Sequence, residues 1–292
     1  MNLFIQALID GLLIGGVYAT IAVGLSLSFG VMRIINWAQG ELLMCSMYIS
    51  YFILSRFHLD PYLIMFISFA LMFGVGYLLQ STVLSNLLAK ETAREPLSVL
   101  LFTSGLGILL TNVVLSIAGA APLTAITKYS GRMLNIGEIF ISVPKLISFA
   151  IACSSTLALY FVLQKTEIGR AIRATAQDRR VATLMGINQK KIYNLAFGIS
   201  IGLVGMAGAL LIPFFSISTT VGSTFSFKAF VIVVLGGKGS VLGALLGGFI
   251  VGMIEKIGGA IWSDSVAQML VFVIFIIVLL FRPNGLMGEK DL

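Results

Sequence analysis

A cluster of polar side chains near residue 40 is the first place where this sequence could recognise a polar solute. Asn36 and Gln39 are three residues apart, so they share one face of a helix, and Glu41 follows closely. The cluster lies between two long uncharged runs, where an ionisable side chain is costly and usually faces a cavity or a partner. It indicates either a broken helix that lines a polar pathway or a cytoplasmic turn anchored by Trp37.

A glycine-rich break, Gly236 to Ser240, interrupts a later apolar run and is the second candidate site. Its spacing differs from that of a phosphate-binding loop, so nucleotide binding is not predicted. Interrupted helices in transporters often flank substrate sites, whereas the alternative is a structural re-entrant corner. The candidate substrate-pathway residues are Asn36, Gln39, Glu41, Gly236, Gly237 and Ser240.

The segment 165–191 concentrates positive charge. It carries seven Lys or Arg residues against Glu167 and Asp178, a net +5 out of the formal +7 of the whole chain. By the positive-inside rule this segment is cytoplasmic. The basic balance of the protein is then explained by membrane topology, and no nucleic-acid partner is predicted.

Within this segment the sequence predicts one short helix over 179–185. Asp178 can cap its N-terminus and Gly186 can end it. Isolated helices shorter than about 12 residues are marginal in water, so this helix must dock on something. Its apolar side, formed by Val181, Leu184 and Met185, could dock on the membrane face of the protein itself or in a groove of a cytoplasmic partner.

The elements that position these residues are predicted to be transmembrane helices. The 292 residues are 58% hydrophobic and 11% charged, with a mean hydropathy of +1.04. The charges are clustered, and the long uncharged runs between them do not alternate, which favours helices over a barrel. The expected spans are about 6–30, 41–57, 62–88, 97–119, 144–164, 192–214, 228–254 and 266–282.

We therefore predict an all-α integral membrane protein, a polytopic bundle of about eight transmembrane helices with a broken or re-entrant helix and a cytoplasmic loop. A single domain covers 1–292. With five spans before the basic loop and three after it, both termini should lie outside. Glycines at four-residue spacing, such as Gly11/Gly15 and Gly248/Gly252, can join helices within this bundle or form a seam with a second subunit.

Two other functional classes are disfavoured. An enzyme would need a nucleophile, an acid–base pair or a metal cluster, and the one histidine, His58, falls in an external turn. An ion-coupled secondary transporter usually carries ionisable residues at mid-membrane depth. Such residues are almost absent from the spans after residue 60, and Glu41 and Glu255 fall near predicted span ends.

Segment 166–188 resembles the coupling loop of ATP-binding-cassette importer permeases, in the form found in the branched-chain amino acid permease family. Further stretches resemble the family in the same order, at 35–41, 228–230, 234–240 and 282–288, so the similarity covers nearly the whole chain. One difference is that the family commonly has Asn-Phe-Ala-His-Gly-Glu where 36–41 reads Asn-Trp-Ala-Gln-Gly-Glu. The lost imidazole puts the identity of the substrate in question.

The resemblance implies a permease subunit of an ATP-driven importer in a bacterial inner membrane, working by alternating access. The implied substrates are leucine, isoleucine and valine; urea, short amides or other small solutes are the alternative. The implied partners are two ATPase subunits that bind ATP and Mg, a homologous second permease, and an external solute-binding protein. The chain itself would bind no cofactor or metal and carry no catalytic residues.

The resemblance also implies that the loop 165–191 transmits closure of the ATPases to the membrane helices, with a bend at Gly186. The coupling residues it implies are Arg170, Arg173, Asp178, Arg179, Val181, Ala182, Leu184, Met185 and Gly186.

Overall fold

A computed structural model describes residues 2–90 and 97–288. The helices are α1 (Asn2–Met32), α2 (Gln39–Phe57), α3 (Pro61–Leu79), α4 (Ser85–Lys90), α5 (Leu97–Ala118), α6 (Val143–Lys165), α7 (Glu167–Gln177), α8 (Arg179–Leu184), α9 (Gln189–Leu211), α10 (Val221–Gly236), α11 (Val241–Ile261) and α12 (Asp264–Phe281). A π-helical turn, Gln80–Leu84, joins α3 to α4. The strands β1 (Met133–Ile136) and β2 (Ile139–Ser142) form an antiparallel hairpin.

Seven helical segments in the described part of the chain are long and apolar enough to cross a membrane. They include α1, α5, α6, α9, α11, α12 and the continuous stretch Pro61–Leu88, while α2 has 19 residues and α10 only 16. The predicted all-α polytopic fold is confirmed. One predicted span, 228–254, is wrong, because Gly237 (φ 108°) and Gly239 (φ 82°) turn the chain between the antiparallel helices α10 and α11.

The bundle contains two similarly built halves that run in opposite directions. Each half has a long helix, a break, a second helix, a tight turn and a further helix: α1–α2–α3 and α9–α10–α11. The most extensive packing is between the halves, with α1 along α11 and α3 along α9. This is the inverted repeat found in many transporters, in which the site lies between the repeats.

Glycines allow these close antiparallel contacts. A Cβ at Gly15 would lie 2.7 Å from the carbonyl oxygen of Gly248, and one at Gly252 would overlap the backbone of Gly11. A Cβ at Gly205 would lie 2.6 Å from the carbonyl oxygen of Ser68 in α3. These five glycines therefore join helices within one bundle, rather than forming a seam with a second subunit.

The two ends of the bundle carry different structures. At one end Gln6, in α1, donates a hydrogen bond to the carbonyl of Phe140 in the β-hairpin (2.6 Å). At the other end, which we call the cytoplasmic end because it carries the basic segment 165–191, the end of α1 meets α7 and residues 283–288. The expectation that the C-terminal end lies outside is therefore wrong, since α10 and α11 are two helices where one span was predicted.

Candidate functional site

The N-terminal ends of α2 and α10 meet inside the bundle, at a place we call the α2–α10 junction. After α1 ends, residues 33–38 turn the chain back, and the side chain of Gln39 reaches Gly24, about 12 Å from the end of α1. Gly40 and Gly222 are in backbone contact, since a Cβ at Gly40 would overlap the carbonyl oxygen of Gly222. The chain is therefore broken between α1 and α2 at residues 33–38, and α2 starts inside the bundle.

Asn36 and Gln39 are brought together at this junction and are both buried, with 2% and 0% of their surface exposed. Asn36 Nδ2 donates to Gln39 Oε1 (3.0 Å), and Asn36 Oδ1 accepts from the N–H of Ala38 (3.2 Å). Gln39 Nε2 has no hydrogen-bond partner among the described residues and points towards α1. The pair therefore fixes the shape of the break from inside.

Glu41 is the ionisable group of the junction. It is 9% exposed, and its Oε2 lies 2.9 Å from the hydroxyl of Ser226 in α10. The same hydroxyl lies 3.0 Å from the carbonyl oxygen of Trp37 and accepts from the N–H of Gly40 (2.8 Å). Because Ser226 has one proton, it can donate to either the carboxylate or the carbonyl, and in both cases it ties α10 to the break.

An exposed face next to Glu41 mixes hydroxyl and aromatic groups. Ser223 and Thr224 are exposed on the first turn of α10, and the exposed Trp37 packs on Phe230 further along the same helix, with ring centroids 6.0 Å apart. Phe227 packs on Phe272 of α12 with ring centroids 4.5 Å apart. Sequence reasoning missed these α10 residues, although a run rich in Ser and Thr at 216–226 next to an apolar helix was a visible signal.

An ion pair inside the bundle was also missed. Lys228 Nζ in α10 lies 2.8 Å from the carboxylate of Glu255 in α11 and 3.2 Å from the hydroxyl of Tyr18 in α1. The Tyr18 hydroxyl lies 3.3 Å from Glu255 Oε1, and Lys228 Nζ is 4.8 Å from the Tyr18 ring centroid. Glu41 is the third residue of α2 and Glu255 lies six residues before the end of α11, so both lie near helix ends as expected, but both side chains are largely buried in the bundle.

The second candidate segment, 236–240, lies elsewhere. Gly236 is 14 residues beyond Gly222 on α10, or about 21 Å along the helix, so Gly236, Gly237 and Ser240 are not brought to the α2–α10 junction. They form the corner between α10 and α11 at the cytoplasmic end. Ser240 Oγ accepts from the N–H of Gly243 (3.0 Å) and caps α11.

Residues 283–288, which we call the C-terminal strap, cross this corner. The N–H of Leu286 donates to the carbonyl of Leu235 (2.9 Å), and the N–H of Met287 donates to the carbonyl of Gly236 (2.9 Å). The last carbonyls of a helix need partners from outside the helix. The strap supplies them for α10.

The predicted short helix of the basic segment forms as α8. The N–H groups of Val181 (3.1 Å) and Arg180 (2.7 Å) donate to Asp178 Oδ1 and hold the pKa of Asp178 below its usual value. Asp178 is therefore the N-cap that the sequence predicts. Gly186 follows the helix with φ 87°, a conformation that glycine adopts without strain.

The apolar side of α8 does not dock on the protein itself. Leu184 is 87% exposed, and Val181 and Met185 are also exposed, whereas Ala182 faces inwards and is buried. Arg179 is exposed as well. The described part of this chain thus offers no cover for three apolar side chains at the cytoplasmic end.

The helix α7 was not predicted, and it positions α8. Thr166 Oγ1 accepts from the N–H of Gly169 (3.0 Å) and caps it. Arg173 donates to the carbonyl of Leu163 (2.7 Å) and to Gln164 Oε1 (2.5 Å), so it ties α7 to the end of α6. Arg170 lies on the surface, 3.6 Å from Glu167.

Replacing Gly40 by alanine is expected to destabilise the protein at the α2–α10 junction. The new Cβ would overlap backbone atoms of Gly222 and Ser226, which are held by their own helix and have no flexible end to move. Overpacking of this kind costs about 1–3 kcal/mol. Thermal unfolding of the detergent-purified protein measures the loss. Gly105→Ala in α5 is the matched control, because a Cβ there meets nothing within 4 Å; equal melting temperatures for the two variants would contradict the prediction.

Residues 7–279 match the protein family described as branched-chain amino acid transport system / permease component. The high-affinity branched-chain amino acid transport system permease protein BraD of Pseudomonas aeruginosa is 31% identical over 301 residues, covering 99% of this chain and 97% of that protein. The corresponding permease LivH of Escherichia coli is 29% identical, covering 99% and 96%. The ribose import permease RbsC of Haemophilus influenzae is 31% identical over 46% of this chain and 43% of its own length. No solved structure matches.

Proposed function

Because the chain belongs to the branched-chain amino acid transport permease family, we propose that it is the membrane subunit through which an ATP-driven importer moves leucine, isoleucine or valine into the cell. The observation that carries this proposal is the match over nearly the full length of relatives whose names state that transport. Membership of a permease family also means that the chain is not itself the ATPase. Urea, short amides and other small solutes are not favoured by these relatives.

The proposed assembly contains two ATPase subunits that bind ATP and Mg, a second permease homologous to this one, and an external solute-binding protein. The exposed apolar side of α8 supports an ATPase contact, because Leu184 and Met185 stand uncovered at the cytoplasmic end. Segment 165–191 then acts as the coupling loop within a single permease domain, 1–292. Of the coupling residues, Arg173 and Asp178 shape the loop, while Val181 and its exposed neighbours contact the ATPase.

The proposed substrate path passes the α2–α10 junction. An amino acid carries an ammonium group, and the carboxylate of Glu41 is the acidic group at this junction. The exposed Ser223, Thr224 and Trp37 form a wall that the second permease would complete. Asn36 and Gln39 are buried and stabilise the non-helical conformation of residues 33–38 through their hydrogen bonds. Gly236, Gly237 and Ser240 lie at the cytoplasmic mouth of the path and not at the substrate.

The inverted repeat supports alternating access. Two halves of opposite direction can exchange their conformations, so that a path open towards one side becomes a path open towards the other. In this proposal the break at 33–38 belongs to the half that ends on the cytoplasmic side. The break at 212–220 lies between α9 and α10 and so belongs to the other half. It is at the opposite end of the bundle, because Ile217 pairs with Leu123 in the loop between α5 and the β-hairpin.

Uptake into proteoliposomes tests the proposal. The permease is reconstituted with its ATPases, the second permease and the binding protein, and entry of labelled leucine is followed with and without ATP. We expect uptake that needs ATP and is competed by isoleucine and valine. Uptake of urea or acetamide without leucine uptake would contradict the substrate, and uptake without the ATPases would indicate a secondary transporter.

The same uptake assay tests whether the substrate path passes Glu41 at the α2–α10 junction. Glu41→Gln removes the charge but keeps the hydrogen bond to Ser226, so uptake should fall about tenfold or more while the protein stays folded. The exposed Asp264, at the start of α12, provides the control Asp264→Asn, which should keep normal uptake. Equal uptake by both variants would remove Glu41 from the path.

A further inference from the structure

A cavity of about 780 Å³ opens at the cytoplasmic end, between the end of α1, α7, the α10–α11 corner and the C-terminal strap. Three cationic side chains line it, and each comes from a different segment: Arg33 follows α1, Arg173 lies in α7 and Lys238 lies in the corner. We call it the basic cavity. Its volume is that of a typical small-molecule site.

Within residues 2–90 and 97–288, no acidic side chain balances the charges of the basic cavity. None of the described residues that line it is acidic, and neither Arg33 nor Lys238 takes part in an ion pair among residues 2–90 and 97–288. Lys238 Nζ instead lies 5.3 Å from the ring centroid of Phe29. Like charges that share a cavity repel each other, so a bound anion would stabilise this arrangement.

Further donors face the same space. Ser240 and Val241, which line the cavity, start the 21-residue helix α11, and the N-terminus of a helix carries a partial positive charge. The amide of Asn284 in the strap lines the opposite side. Arg33 is held at the rim with φ 55°, a left-handed backbone conformation that non-glycine residues seldom adopt outside functional or strained sites.

We propose that the basic cavity binds a phosphate-bearing anion, either the headgroup of an anionic phospholipid or a free phosphate compound. Arginine and lysine are the side chains that recognise phosphate, and the guanidinium group does so with paired hydrogen bonds. The cavity lies at the cytoplasmic end, where the leaflet is rich in anionic lipids. A bound phosphate would join α7, and hence the segment that carries α8, to α1 and to the strap.

The test uses the full chain purified in a neutral detergent. Binding of phosphatidylglycerol, phosphatidylcholine and inorganic phosphate is measured by native mass spectrometry and by the shift in melting temperature. The variant Arg33→Gln/Lys238→Gln removes two cavity cations. The control Lys165→Gln/Lys190→Gln removes the same charge from exposed positions at the same end but outside the cavity.

We expect the wild type and the control to bind phosphatidylglycerol in preference to phosphatidylcholine, and the cavity variant to bind it about 30-fold more weakly. If inorganic phosphate also binds and is lost in the same variant, the site takes free phosphate; if it does not bind, the site takes the lipid headgroup. The proposal is overturned if the wild type neither prefers phosphatidylglycerol to phosphatidylcholine nor binds inorganic phosphate. It is also overturned if the cavity variant and the control bind equally well. The melting temperature without added ligand shows whether each variant is folded. This test does not involve transport, so its outcome is independent of the proposed function.

Discussion

Replacing Lys228 by methionine is expected to lower the free energy of unfolding by about 3–5 kcal/mol, because the change leaves the Glu255 carboxylate inside the bundle without its cation. The side chains of the pair are only 12% and 16% exposed, so water cannot take the place of the lost partner. The hydroxyl of Tyr18 remains as a single hydrogen-bond donor to the carboxylate. Denaturant or thermal unfolding in detergent measures the loss.

Two further variants separate a charge effect from a packing effect. The double variant Lys228→Met/Glu255→Leu should recover most of the stability, since it removes both charges together. Lys145→Met breaks a second ion pair, with Asp10, which has the same 2.8 Å distance but side chains 22% and 24% exposed. That variant should lose about 1 kcal/mol or less. If the double variant is no more stable than Lys228→Met, the loss comes from packing and the ion-pair explanation is wrong.

Replacing Leu184 by aspartate is expected to abolish co-purification of the ATPase subunits while the permease itself stays folded. Leu184 is 87% exposed, so the substitution removes almost no packing within the chain. In a partner groove, however, an apolar anchor becomes a charge without a counterion, which weakens binding by about 2 kcal/mol or more, roughly 30-fold. Pull-down of the assembled importer and its ATP hydrolysis rate are the measurements.

Ile126→Asp is the matched control for this experiment. Ile126 is also 87% exposed, but it lies in the loop before the β-hairpin, at the opposite end of the bundle. The control should bring down the ATPases in normal amounts. Normal recovery with Leu184→Asp, or loss with both variants, would show that α8 is not the ATPase contact.

Much of the fold follows from the spacing of charges along the chain. The uncharged runs after Asp60 and after Lys145 each formed the expected long helix, because a run of that length has to satisfy its own backbone in a membrane. The cap at Asp178 and the stop at Gly186 were also predictable, since both are local interactions within a few residues. Local chemistry therefore determines where most of these helices begin and end.

The junctions between helices were not predictable in the same way. Residues 228–254 are apolar enough for one span, and the sequence indicated a re-entrant corner at 236–240 only as an alternative; the turn at Gly237 and Gly239 and the contact of Gly236 with Gly243 show that the chain reverses there. The pairing of Lys228 with Glu255 depends on that reversal, so the sequence alone could not bring the two side chains together. Likewise, hydropathy cannot reveal that Glu41 starts a helix inside the bundle, because that depends on packing against Gly222 and Ser226.

The C-terminal strap has a consequence for how the protein is made. The carbonyls of Leu235 and Gly236 at the end of α10 receive their partners from residues 286 and 287, which leave the ribosome only after α12 has been synthesised. Until then α10, with 16 residues, has an unfinished end and is short for an independent span. Residues 286 and 287 can therefore close the end of α10 only after α12 has been synthesised, and a chain truncated after α12 would leave these two carbonyls without their partners.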